Sequence, residues 1–76
     1  MTLKDVIKAT SNGSYGLYIR KKDGSFGECI DVNYDSPFAE FVKNNNRAFE
    51  LAKRTNLKLD TISIVNGSII ICVNEI

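Results

Sequence analysis

KLDTISIVNGSIIICVNE, from Lys58 to Glu75, is two runs rich in β-branched residues on either side of Asn66-Gly67. A two-residue type I′ turn needs positive φ at both central positions, and Asn-Gly tolerates that better than almost any other pair. Lys58–Val65 and Ser68–Glu75 are therefore expected to form a β-hairpin. The matching register sets Ile64 opposite Ile69 and Ile62 opposite Ile71, with Val73 continuing the row. Side chains alternate across a strand, so this register gathers one uniformly aliphatic face, and that face is expected in the core.

Working toward the N-terminus, a second hairpin signal appears. Tyr15–Lys22 and Ser25–Tyr34 flank Asp23-Gly24, which also suits a type I′ turn. A two-residue loop pairs Tyr15 with Val32, Leu17 with Ile30 and Ile19 with Glu28. A three-residue loop with a bulge opposes Leu17 to Cys29 instead. The first register joins the two apolar rows and is preferred. Between the hairpins, Ser36 offers an N-cap, Pro37 suits a first helical position, and Glu40 complements the helix dipole. Phe38, Phe41, Val42, Phe49 and Ala52 keep a helical period, interrupted at Asn45. One helix from Pro37 to about Thr55, with Asn56 at its end, is preferred over two helices with Asn46 capping the second. At the start, Thr2 can cap a short helix with Leu3, Val6 and Ile7 as its stripe, closed by Asn12-Gly13.

The expectation is one small α+β domain over residues 1–76, in the order α-β-β-α-β-β. Its two β-hairpins form one antiparallel-rich sheet packed against one main helix. A chain of 76 residues buries only about 60% of its unfolded surface, so its stability is marginal without a staple. The opening Met1-Thr2-Leu3-Lys4-Asp5 is not a secretory signal, and the longest apolar run, Ile69–Val73, is too short for a membrane span. A cytoplasmic setting with free thiols is expected, and self-association stays open as the missing staple.

The residue inventory argues against catalysis. There is no histidine, and the two thiols, Cys29 and Cys72, lie far apart in sequence outside any Cys-x-x-Cys pair. Glu28 and Asp31 fall on opposite faces of one strand, so they are not a working carboxylate pair. The sequence leads us to expect no enzyme activity, no metal and no cofactor.

The net charge of +1 is unevenly spread. Residues 1–22 carry five bases and one acid, residues 23–42 carry acids alone, and residues 43–58 are again basic. Two clusters could contact nucleic acid: Arg20, Lys21 and Lys22 at the first hairpin, and Lys43, Arg47 and Arg54 on the helix. Arg20-Lys21-Lys22-Asp23-Gly24-Ser25-Phe26-Gly27 superficially resembles the Gly-x-x-Gly loop of KH domains and the glycine–aromatic strand of RNA-recognition and cold-shock folds. That likeness implies single-stranded nucleic-acid binding. It departs from KH loops in joining two strands rather than two helices, and Glu28 and Cys29 stand where the recognition motif has aromatics. Binding of a small nucleotide, with Arg20 and the hairpin glycines near a phosphate, is a related alternative.

The remaining anomaly is the second face of the sheet. Tyr18, Cys29, Val65, Ile70 and Cys72 point away from the aliphatic row, and a wholly solvated face is normally more polar. Either the N-terminal helix covers them or they form a contact surface. The leading expectation is a small non-enzymatic protein-interaction module that docks on a protein partner or on its own copy. In size and lysine–asparagine–isoleucine richness the chain is similar to small accessory proteins of bacteriophages and mobile elements, inhibitors of host systems among them. It departs from the strongly acidic DNA mimics of that group in being nearly neutral.

Overall fold

The structure is a computed structural model and describes residues 2–11 and 13–76. Its elements are α1 (Leu3–Thr10), β1 (Tyr15–Arg20), β2 (Phe26–Val32), α2 (Phe38–Ala52), β3 (Leu57–Val65) and β4 (Ser68–Glu75). The element order matches the expectation. The sheet is mixed rather than simply two hairpins side by side. Its order is β2-β1-β4-β3, and β1 runs parallel to β4 at the centre.

The second hairpin forms as its turn chemistry dictates. Asn66 and Gly67 have φ of 51° and 79°, the pair of positive values a type I′ turn requires. Ile64 faces Ile69 and Ile62 faces Ile71. A bulge between Leu59 and Thr61 then shifts the register toward the base of the hairpin.

The first hairpin is built differently at its tip. Gly24 has φ of 89° but Asp23 does not share a positive φ, so the turn is not type I′. Lys21 N–H donates to the Ser25 carbonyl at 2.8 Å, which closes a three-residue loop, while Asp23 accepts hydrogen bonds from the Ser25 N–H and hydroxyl. Arg20 therefore faces Phe26. A bulge at Gly27 and Glu28 follows, so Ile19 does not face Glu28. Beyond it the expected pairs hold: Leu17 with Ile30 and Tyr15 with Val32. The loop that Gly24 terminates slips the register by one, and the bulge restores it.

In α2 the expected cap moves by one residue. Pro37 rather than Ser36 is the N-cap, its carbonyl accepting from the Phe41 N–H at 3.0 Å, and proline has no side-chain group to cap with. The helix is continuous to Ala52, short of the expected Thr55, and its buried stripe is Asn45, Ala48 and Leu51. Phe41, Phe49 and Ala52 pack against the core at its margin, while Phe38 is 80% exposed. The stripe runs through Asn45 because that side chain has a partner. The Tyr15 hydroxyl donates to Asn45 Oδ1 at 2.7 Å, and Asn45 Nδ2 donates to the Ser11 carbonyl at 3.3 Å.

α1 opens with the capping box its sequence implies. The Asp5 N–H donates to the Thr2 hydroxyl and the Thr2 N–H to the Asp5 carboxylate. Hydrogen bonding with the Thr2 side chain, and then with the Thr2 N–H, holds the Asp5 carboxyl below its usual value. The closing Asn12 of Asn12-Gly13 lies outside the described residues. Leu3, Val6 and Ile7 are buried in one cluster with Ala48 and Leu51 of α2, Tyr15, Leu17 and Ile19 of β1, Ile30 and Val32 of β2, and Ile71 and Val73 of β4. Both helices thus lie on the same face of the sheet. α1 does not cover the second face.

One part of the expected core is not core. Ile62 and Ile64 are 46% and 76% exposed, although Ile71 and Val73 in the same face are fully enclosed. Alternation tells which side chains share a face, not whether an element covers it. β3 is an edge strand, and the eight-residue α1 stops at a groove lined by Val6, Ala9, Ile62, Ile64 and Ile69.

Candidate functional site

The strand registers lay out the uncovered face row by row. One row crosses Asp31, Gly16, Ile70 and Ser63, from β2 to β3. The next crosses Cys29, Tyr18, Cys72 and Thr61. The last crosses Phe26, Arg20, Asn74 and Lys58, and Val65 sits beyond Ser63 on β3. All five residues expected at an interface, Tyr18, Cys29, Val65, Ile70 and Cys72, are on this face. Cys29 and Val65 are exposed, and the other three are half-buried.

Tyr18 is the centre of the surface. A side chain at Gly16 would place its Cβ 2.9 Å from Tyr18 Cε2, 3.2 Å from Asp31 Oδ1 and 3.5 Å from Ile70 Cδ1. The ring therefore lies back over Gly16, bridging toward Asp31 and Ile70. Its phenol is held above the ordinary value, chiefly by hydrogen bonding with the Cys29 thiol and then by the charge of Cys29 and Asp31. Composition alone did not single out Gly16, yet a glycine inside an alternating strand signals close approach of this sort.

Cys29 and Cys72 flank Tyr18 on neighbouring strands. Two inter-strand steps separate their Cα atoms by roughly 10 Å, and a disulfide spans at most about 7 Å. They do not pair within one chain. Both are free.

At the hairpin end of the face, the Arg20 guanidinium stands 5.4 Å from the centroid of the Phe26 ring, a cation–π contact. Asn74 Oδ1, in the same row, is buried without a hydrogen-bond partner among the described residues.

The basic residues do not form one surface. Arg20, Lys21 and Lys22 are at the hairpin tip, whereas Lys43 and Arg47 line an open groove of about 700 Å³ between α2 and β2. Glu28 and Glu50 line the same groove and offset them. Arg54 does not pair with Glu50. Its guanidinium lies 3.8 Å from Glu28 and 3.9 Å from Glu75, while Glu50 bonds Lys53 at 3.0 Å. Arg20 stands against Phe26 at the base of the loop that carries Gly24.

Glu28 turns to the helix side and Asp31 to the open face, so these carboxylates stay apart. Among the described residues no group of three or more His, Cys, Asp or Glu side chains could hold a metal ion. Among the described residues no helix is long and apolar enough to cross a membrane. No protein-family model, no curated protein and no solved structure matches the chain.

Proposed function

We propose that the protein is a non-enzymatic interaction module that holds a protein partner on the open face of its sheet. The observation that carries this reading is a semi-apolar sheet face, centred on Tyr18, Ile70 and Cys72, with both helices on the opposite side. The parallel pair β1–β4 is central to it, and parallel strands are normally covered on both faces. A partner layer on Tyr18, Ile70 and Val65 supplies that second cover. Asp31 and Arg20 at opposite ends of β1's neighbourhood give the contact a polar rim of both signs. As a biological setting we propose an accessory protein of a phage or mobile element that inhibits a host system, on the strength of composition.

The test is substitution at the centre of the face. Ile70→Asp is expected to abolish capture of a partner from host lysate while the circular dichroism spectrum stays unchanged. Equal capture by both forms, or a native chain that captures no protein, refutes the reading.

A further inference from the structure

We infer that the free edge of β3 is where a second copy of this chain docks. The two β3 strands pair antiparallel about a two-fold axis at Ser63. This inference stands apart from the open-face reading, because it uses the rim of the sheet and not its surface.

Hydrogen-bond parity is the first argument. Val65 and Ser68 flank the two-residue turn and so form the closing bonded pair of the hairpin. By alternation Ser63 and Thr61 also bond inward to β4. The N–H and C=O groups of Ile62 and Ile64 then point outward, where the sheet ends.

Length and register give the second. The bulge at Asp60 ends regular pairing on one side, and the turn at Asn66 ends it on the other. The regular edge is Thr61–Val65, and its midpoint is Ser63. A two-fold axis there sets Ile62 opposite Ile64 of the second copy and Thr61 opposite its Val65. The outward groups of Ile62 and Ile64 then bond one another, so parity and length select the same register.

Charge decides the occupant. Thr61-Ile-Ser-Ile-Val65 contains no ionisable residue and no proline, the usual devices that keep an edge from pairing with itself. The opposite edge, β2, carries Glu28 and Asp31 and is bulged at Gly27 and Glu28, the devices that keep an edge from pairing with its own copy. Only β3 accepts its own likeness. The pairing also brings Ile62 and Ile64 of both copies together beside the α1 groove, a cavity of about 270 Å³. The product is one continuous sheet of two four-stranded halves, with the two open faces side by side.

Register-specific crosslinking tests this in a Cys29→Ala, Cys72→Ala background. At the axis Ser63 meets Ser63 of the second copy as a non-bonded pair, with Cα atoms about 4.5 Å apart, within disulfide range. Ser63→Cys is therefore expected to oxidise to a covalent dimer. Thr61→Cys, whose copies stand roughly 13 Å apart along the strands, is expected to crosslink about tenfold less. The unaltered chain is expected to sediment as a dimer and Ile64→Lys as a monomer. Ile64→Lys keeps partner capture and Ile70→Asp keeps the dimer, so failure of one reading is separable from failure of the other. A strict monomer at about 100 μM, or equal crosslinking of the two cysteine variants, overturns the inference.

Discussion

The Tyr15 hydroxyl donates a 2.7 Å hydrogen bond to Asn45, and both side chains are enclosed between α2 and β1. Asn45→Ala leaves that hydroxyl buried without an acceptor, which costs about 1–3 kcal/mol. Tyr15→Phe leaves Asn45 Oδ1 without its donor instead. Replacing both groups by apolar ones is expected to cost less than the two single changes together, a coupling visible in chemical denaturation of the four proteins. Burial also pushes the Tyr15 phenol up to about 12 from an unfolded value near 10. A raised value means the folded state keeps its proton longer, so the stabilisation is complete below pH about 10 and is lost between pH about 10 and 12. Native protein is expected to lose stability there at up to about 1.4 kcal/mol per pH unit more than Tyr15→Phe does. The asparagine was visible in the sequence as a break in the stripe. Its partner was not, because Tyr15 is 30 residues away and meets it only through the tertiary fold.

At the scale of elements, turn residues were the most readable part of the chain. Asn66-Gly67 fixes the second hairpin, and Gly67→Ala is expected to cost about 1–2 kcal/mol, since alanine resists φ of 79°. A thermal melt of that variant checks it. Asp23-Gly24 was less decisive, because a two-residue and a three-residue loop both place glycine at a left-handed position. The bulge at Gly27 and Glu28 hides the difference by returning Leu17 and Tyr15 to their expected partners. The periodicity of β3 correctly grouped Ile62 and Ile64 with Ile71, but coverage depends on where α1 ends, which no local pattern records. Strand order is non-local in the same way. The parallel pairing of β1 with β4 joins segments some 50 residues apart.

For the molecule as a whole, all the helical cover is on one side and most of the candidate contacts are on the other. A single layer of sheet under two helices is a small core for 76 residues, and association is one remedy for such marginal burial. The candidate face was legible as a list, since alternation from either turn places Tyr18, Cys29, Ile70 and Cys72 together. That α1 leaves it bare was not legible, because an amphipathic helix of eight residues fits either side of a sheet equally well. The two thiols report on this directly. Cys72 lies on a central strand, and only an uncovered face admits a reagent there. Native-state alkylation of Cys72 with iodoacetamide, followed by mass spectrometry, is expected to proceed within roughly tenfold of the rate at exposed Cys29. Modification of Cys72 only as the whole chain unfolds, roughly a thousandfold slower or more, would show that the face is covered and that the docking surface described here does not exist.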